Sequence, residues 1–388
     1  MSEGLYDLVD PLGSSAGLTE AELAHLARLR HTLDTEITPL IPAAWEAGET
    51  PESIRPTLAG LNLIDPPDAV GPDGHESALY QGFRTFEMAR CDLSVQILFN
   101  GQASMFRTLI RELADPEQAA AWDRDITDFK LTGCFALTEP DHGSDVAGGL
   151  ETTAVRDGDS WVLNGAKKWI GNAAISDYLM IIARTEKGIG GFLVPRGAPG
   201  VRLEKIEGKI AVRMVNNAQI TLADVRVPDS ARLPRLRSFA DINRAMRGLR
   251  ADVVWTAAGM QAGILEAARS YAIERQQFGK PIGGFQLVQE KLARILSNLA
   301  STLAVAEALT RGATDGVLPA SLAKLFAAQR LRESAALGRE IGGGNGVLLE
   351  HHLARFFADA EGVYTFEGTH EVNSLIVGRH LTGLGAFH

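Results

Sequence analysis

The spacing of apolar residues changes twice along this chain. Leu23, Leu26, Leu29, Leu33 and Ile37 recur every three or four positions, the period of one helix face. From Gly133 short apolar runs bounded by Gly, Asn, Asp and Pro take over, at residues 160–165, 178–183, 191–194 and 218–222. Such runs read as strands of a small barrel or sandwich. After a linker at residues 228–240 the helical period returns, with Leu292, Ile295, Leu296, Leu299 and Leu303 on one face and Leu322, Leu325 and Phe326 opening another helix. Long helices with short joints form an antiparallel bundle. The expectation is an α+β chain in three parts: a helical domain (1–128), a middle β domain (129–232) and a C-terminal helical bundle (233–388).

Local signals refine this. Thr19 and Glu22 have the spacing of a capping box, and Pro39 and Pro42 are expected to end or disturb the helix that follows. Further helices are expected at 76–90 and 93–113, with a fresh start at Asp115-Pro116-Glu117. A length of 388 residues can bury several cores. The net charge of −10 excludes wholesale nucleic-acid binding. Cys91 and Cys134 are too few and too far apart for a disulfide framework or a cysteine zinc site. The histidines show no paired ligand spacing, so no metal is expected. No transmembrane run or basic leader is evident, and a cytoplasmic location is expected.

Six segments carry residues suited to chemistry. In Tyr364-Thr365-Phe366-Glu367-Gly368-Thr369 an aromatic wall can desolvate the Glu367 carboxyl and raise its pKa into the range of a general base. Gly368 lets backbone approach a ligand. The loop after Cys134, with Phe135, Leu137, Thr138 and Ser144, offers hydroxyls and amides to a polar ring or phosphate. Trp169, followed by Gly171, offers a flat apolar face. Arg275, Phe278 and Gln286 combine a phosphate-binding cation with a stacking ring. Gly343 and Gly344 belong to a run of three glycines, more than a helix C-cap uses. Gln96, Asn100 and Gln102 are polar in an apolar segment, either satisfied core groups or pocket lining.

Taken together these segments resemble the acyl-CoA dehydrogenase family. Residues 135–145, Arg275-Gln276-Gln277-Phe278-Gly279 and Phe366-Glu367-Gly368-Thr369 match its signatures in order, and the likeness covers nearly the whole chain. Residues 169–172, 209–214 and 371–382 are similar to the branch of glutaryl-CoA dehydrogenases and plant short-chain acyl-CoA oxidases. The resemblance implies FAD, a homotetramer and α,β-dehydrogenation of an acyl-CoA thioester, with electron-transfer flavoprotein or oxygen as acceptor. Glu367 would be the base, its amide a donor to the thioester oxygen. Thr138 and the amides near Leu137 would meet the flavin ring, with Trp169 packed on it. Arg275, Phe278 and Gln286 would hold the pyrophosphate and adenine side. Gly343, Gly344 and Thr369 would sit near FAD, as would Glu340, where many relatives have Gln. Ser144 would lie near the CoA end and Arg250 near the thioester.

Two departures bear on specificity. Gly171 stands where many members have Thr, which removes a hydroxyl from the flavin edge and leaves room for oxygen. By counting, Gln96 replaces the arginine with which glutaryl-CoA dehydrogenases bind a distal carboxylate, and a neutral amide binds a carboxylate less well. A short, branched or polar acyl chain meeting Gln96 or Asn100 is therefore expected. A carrier-protein thioester in place of CoA, or a flavin-bound protein without catalysis, are the rival readings.

Overall fold

Thr19 caps the first helix, α1 (Glu20–Thr32). Its hydroxyl accepts from the Glu22 amide at 3.2 Å, and the Glu22 carboxylate accepts from the Thr19 amide at 2.8 Å, which closes the expected capping box. The computed structural model describes residues 4–246, 248–312 and 316–386. Pro39 and Pro42 do not end the helical path. A wide turn (Leu33–Ile37) and a 3-10 turn (Thr38–Leu40) lead into α2 (Ile41–Ala47). Each proline stands in the first turn of its own segment, where a missing N–H has no partner to lose. The path stops at Gly48, which takes φ 72°.

There follow α3 (Ile54–Gly60), α4 (Ala78–Cys91), α5 (Leu93–Asn100), α6 (Arg107–Leu113) and α7 (Pro116–Thr127). The single helix expected over 93–113 is broken by a wide turn at Gly101–Phe106. Gly101 permits close approach there: a Cβ on it would lie 2.9 Å from Asn172 Nδ2. Gln102 turns inward and is fully used. It donates to the Ile126 and Leu131 carbonyls at 3.0 and 2.8 Å and accepts from the Gly133 amide at 3.1 Å. It is thus a satisfied core group.

The middle of the chain is one curled sheet. Its strands are β1 (Gly133–Ala136), β2 (Thr153–Asp157), β3 (Ser160–Ile170), β4 (Tyr178–Thr185), β5 (Gly188–Pro195), β6 (Val201–Lys205) and β7 (Ala218–Pro228), with the single turn α8 (Val146–Gly149) between β1 and β2. The order is β1-β4-β2-β3-β7-β6, with β5 also on β4, and β1 runs parallel to β4. No ladder joins β6 back to β1 among the described residues, so the strand unit curls without closing. β2 and β6 escaped the sequence pattern because both are polar and half-exposed. Pairing with β3 and β7 makes them strands.

The last part holds α9 (Phe239–Ala245), α10 (Asp252–Glu274), α11 (Gln286–Thr310), α12 (Val317–Ile341), α13 (Leu353–Thr365) and α14 (His370–Thr382). Every residue from Val253 to Leu265 of α10 is buried, because the helix packs on α4, α11, α12 and α13 together. α10 meets α4 backbone to backbone. A Cβ on Gly259 would lie 2.2 Å from the Phe86 carbonyl oxygen, and one on Gly263 2.3 Å from that of Arg90. A buried Arg355–Asp92 ion pair ties α13 to the start of α5. By length and mean hydropathy (1.3) α11 would pass for a membrane span, a run the sequence reading did not mark. It packs instead against α10 and α12. Both cysteines are free and buried, and burial pushes the thiols up to about 11 for Cys91 and about 12 for Cys134.

Gly259→Ala is expected to force α4 and α10 apart and to lower stability by about 1–3 kcal/mol, read as a fall in the denaturation midpoint. Gly378→Ala on α14, whose added methyl meets nothing within 4 Å, is expected to leave the midpoint unchanged or raise it.

Candidate active site

The joint between α13 and α14 is four residues long, Phe366 to Thr369. The Phe366 amide donates to the Gly362 carbonyl at 2.9 Å and ends α13. The Thr369 hydroxyl accepts from the Val372 amide at 3.2 Å and caps α14. Between them only Glu367 and Gly368 remain, and both take left-handed backbone, φ 55° and 86°. Glycine adopts it freely, whereas a glutamate there carries strain of about 1–3 kcal/mol. Several contacts hold the turn. Asn373 Nδ2 donates to the Gly368 and Thr369 carbonyls, each at 3.0 Å. The Lys324 ammonium of α12 donates to the Phe366 and Gly368 carbonyls. Tyr364 stacks on His370 at 4.7 Å, with Arg332 over its other face.

Glu367 opens on one side to a cleft, so its surface is exposed, yet protein crowds around its carboxyl. Desolvation raises its pKa to about 7, repulsion from Asp252 adds to this, and the Lys324 ammonium opposes it. Asp252 begins α10. Burial raises its own pKa to about 6, against the pull of Arg84, Ser104 and Asn100. Asn100 Nδ2 donates to Asp252 Oδ2 at 3.3 Å and to Thr85 Oγ1 at 2.8 Å. Asn100 is thus committed to this wall, with its Oδ1 buried and without a partner among the described residues. Gln96 lies one turn back on the same face of α5. It is buried, and its side-chain amide makes no hydrogen bond among the described residues.

The sheet supplies the facing wall. Ile97 of α5 touches it: a Cβ on Gly171 would lie 3.9 Å from Ile97 Cγ2, and Asn172 Nδ2 donates to the Ile97 carbonyl at 3.3 Å. Gly171 thus borders α5 at Ile97, Asn100 of the same helix bonds Asp252, and the Asp252 charge is felt by Glu367. Trp169 and Asn172 flank Gly171 in left-handed backbone, φ 64° and 60°. Trp169 is 54% exposed, with the Lys168 ammonium 5.7 Å from its ring centroid. Phe135 and Leu137 are half-buried and pack into the sheet. Beyond them the backbone is pinned by β3. The buried Lys167 donates to the Leu137 carbonyl at 3.0 Å and to Glu139 at 2.8 Å, and the Lys168 amide donates to the Thr138 carbonyl at 2.9 Å. The Leu137 carbonyl and the Thr138 N–H lie on opposite sides of one trans peptide, so the Thr138 amide points away from the Lys167 ammonium. Glu139 also accepts from the Glu151 and Thr152 amides at 2.6 and 2.9 Å.

Other expected residues lie apart from this constellation. Ser144 is exposed on the loop after Thr138. Arg275 and Gln286 are exposed on either side of a hairpin at residues 276–281. Phe278 at its tip is 93% exposed with φ 50°, and meets Phe285 edge-on at 6.0 Å. Glu340 is exposed and paired with Lys291 at 2.7 Å. Gly343 and Gly344 carry bare backbone, since a Cβ on either would meet nothing within 4 Å, whereas Gly342 and Gly346 are packed. The side chain of Arg250 lies outside the described residues. The sequence reading missed Asp252, Lys324 and the Lys167–Glu139 pair. Lys324 left a faint signal, a lysine among Leu322, Leu325 and Phe326.

Comparison with known proteins agrees with this geometry. Residues 19–129, 134–225 and 239–382 match the N-terminal, middle and C-terminal domain models of acyl-CoA dehydrogenase. The human mitochondrial short-chain specific acyl-CoA dehydrogenase is 32% identical over 384 residues, 95% of this chain and 91% of that one. The Acetobacterium woodii caffeyl-CoA reductase-Etf complex subunit CarC is 31% identical over 88% of this chain and 92% of its own. Among solved structures, a glutaryl-CoA dehydrogenase from Mycobacterium smegmatis superposes with TM-score 0.90 at 35% identity, with both chains fully covered. Another from that organism, in complex with FADH2, gives TM-score 0.90 at 30% identity over 98% of this chain and 99% of that one. The fold and cleft define a flavin-dependent oxidoreductase. The chain belongs to the acyl-CoA dehydrogenase family, whose members use FAD to dehydrogenate acyl-CoA. The exposed indole, the outward Thr138 amide and the bare Gly343–Gly344 backbone suit that cofactor.

Lys167→Met would leave Glu139 buried without its cation. Stability is expected to fall by about 3–5 kcal/mol, measured by thermal unfolding, and the flavin-to-protein absorbance ratio to fall with it.

Proposed function

We propose that this enzyme removes the α-proton of an acyl thioester with Glu367 and so drives α,β-dehydrogenation. The observation that carries the reading is Glu367 itself, a strained, desolvated carboxyl facing the cleft with a pKa near 7. A base poised near neutrality accepts a proton efficiently. The Glu367 amide, beside the carboxyl, donates to the thioester oxygen as charge builds there. FAD, when bound, supplies the acceptor for the β-hydride.

The substrate we infer is an acyl-CoA with a short, branched or polar chain. Gln96 and Asn100 present neutral amides where a glutaryl chain would place a carboxylate, so glutaryl-CoA is disfavoured. Ser144, at the outer rim, lies toward the CoA end, and Arg250 toward the thioester. Arg275, Phe278, Gln286, Gly343, Gly344, Thr369 and Glu340 serve FAD, partly across a subunit boundary. A homotetramer is the assembly that the family resemblance implies, and the exposed Phe278, Leu287 and Leu381 are apolar surface that it would cover. Electron-transfer flavoprotein is the favoured acceptor, in keeping with the Etf-complex relative. Oxygen is the second reading, because Gly171 places no side chain there and a Cβ on it would meet only Ile97 and Asn217, at 3.9 and 4.0 Å.

Glu367→Gln is expected to retain FAD but to lose anaerobic flavin bleaching by acyl-CoA by about three orders of magnitude or more; normal bleaching would refute the assignment. In the wild type, bleaching should rise with pH through about 7 as Glu367 loses its proton. Hydrogen peroxide release without an added acceptor tests the second reading. If oxygen is the acceptor, Gly171→Thr should cut that release while anaerobic bleaching persists.

A further inference from the structure

Lys324 is buried, 5% exposed, about two turns into α12. Lysine is seldom buried so completely unless its ammonium is paired. Here its partners are the two carbonyls that bracket Glu367, those of Phe366 and Gly368. We propose that Lys324 is a positioning residue for the reaction: by holding these carbonyls it aims the Glu367 amide and carboxyl into the cleft. The inference rests on Glu367 being the base.

The geometry follows from the planarity of the peptide. The Phe366 carbonyl and the Glu367 N–H lie on opposite sides of one trans peptide. With the carbonyl fixed on Lys324, the N–H is turned away from α12, toward the side where a thioester oxygen would lie. The Gly368 carbonyl fixes the other end of the turn, so Glu367 keeps its left-handed φ of 55°. Asn373 also reaches the Gly368 carbonyl, but among the described residues only Lys324 is bonded to both. A hydrogen-bonded brace of this kind sets the donor before charge develops, which is what an oxyanion site requires.

The charges around the turn set the expected pH response. Lys324 faces Glu367 and Glu371, and burial lowers its own pKa to about 8 against their pull. Glu367 faces Asp252 of α10 and Lys324 of α12. His370 sits against Tyr364 and Gln329 on the outer side. Among the described residues, removal of the ammonium leaves Glu367 facing Asp252 alone, so its proton is held more tightly and deprotonation needs a higher pH.

The test compares Lys324→Met with Lys324→Arg, with bleaching rates taken per bound flavin so that lost material does not enter. For Lys324→Met the limiting rate is expected to fall about tenfold or more, and the acid limb of the pH profile to move up by about one unit. Lys324→Arg keeps the cation, but its planar fork cannot converge on both carbonyls as an ammonium does. It should retain the wild-type limb with a lowered limiting rate, and it carries the test if Lys324→Met does not hold flavin. A wild-type rate and limb in a flavin-bearing variant, with only the unfolding midpoint lowered, would overturn the proposal and leave Lys324 a structural brace. Normal bleaching by Glu367→Gln would instead overturn the assignment of the base.

Discussion

The contact of α10 with α4 through bare backbone governs where everything else can stand. Gly259 and Gly263 let α10 settle against the carbonyls of Phe86 and Arg90, closer than any side chain would permit. From that position α10 serves as the common wall for α11, α12 and α13, and one apolar cluster spans both helical parts of the chain. The approach also sets the first residue of α10, Asp252, beside Asn100 of α5. The sheet joins at the other side of α5, through Asn172 and Ile97. The cleft is the gap that remains when three bodies meet along one short helix.

Electrostatics in that gap are balanced rather than extreme. Burial moves Glu367 toward neutrality, Asp252 pushes it further, and Lys324 restrains it. A carboxyl in this position is ionised often enough to accept a proton and basic enough to keep it. The Lys167–Glu139 pair shows the opposite use of charge. There burial is offset by the ammonium and by two amides, and the Glu139 pKa is held below its ordinary value. That pair fixes backbone after β1 and keeps its carboxylate ionised. The two sites differ in whether the carboxylate's hydrogen-bonding capacity is filled.

Much of this was legible in the sequence, and the exceptions have physical causes. The two changes of period located the helical and strand regions, and the capping box at Thr19 formed as read. Glu367, Thr138, Trp169, Asn100 and Gln96 could be singled out because a polar or aromatic residue sat in a context that did not explain it. The strands β2 and β6 could not, since their pairing depends on neighbours far along the chain. The break at Gly101–Phe106 follows from contact with Asn172, which no local pattern encodes. Asp252 and Lys324 looked like ordinary helix residues. Their importance arises from what α5 and the Glu367 turn bring opposite them.

The state of the two thiols has a practical corollary. Cys91 and Cys134 are sealed in separate apolar clusters, and burial keeps each in its neutral form at physiological pH. A cysteine engineered at an exposed point such as Ser144 would be the single nucleophilic sulfur within reach of an alkylating dye. The folded enzyme is therefore suited to one-site fluorescent labelling on the loop after β1, without first removing its native cysteines.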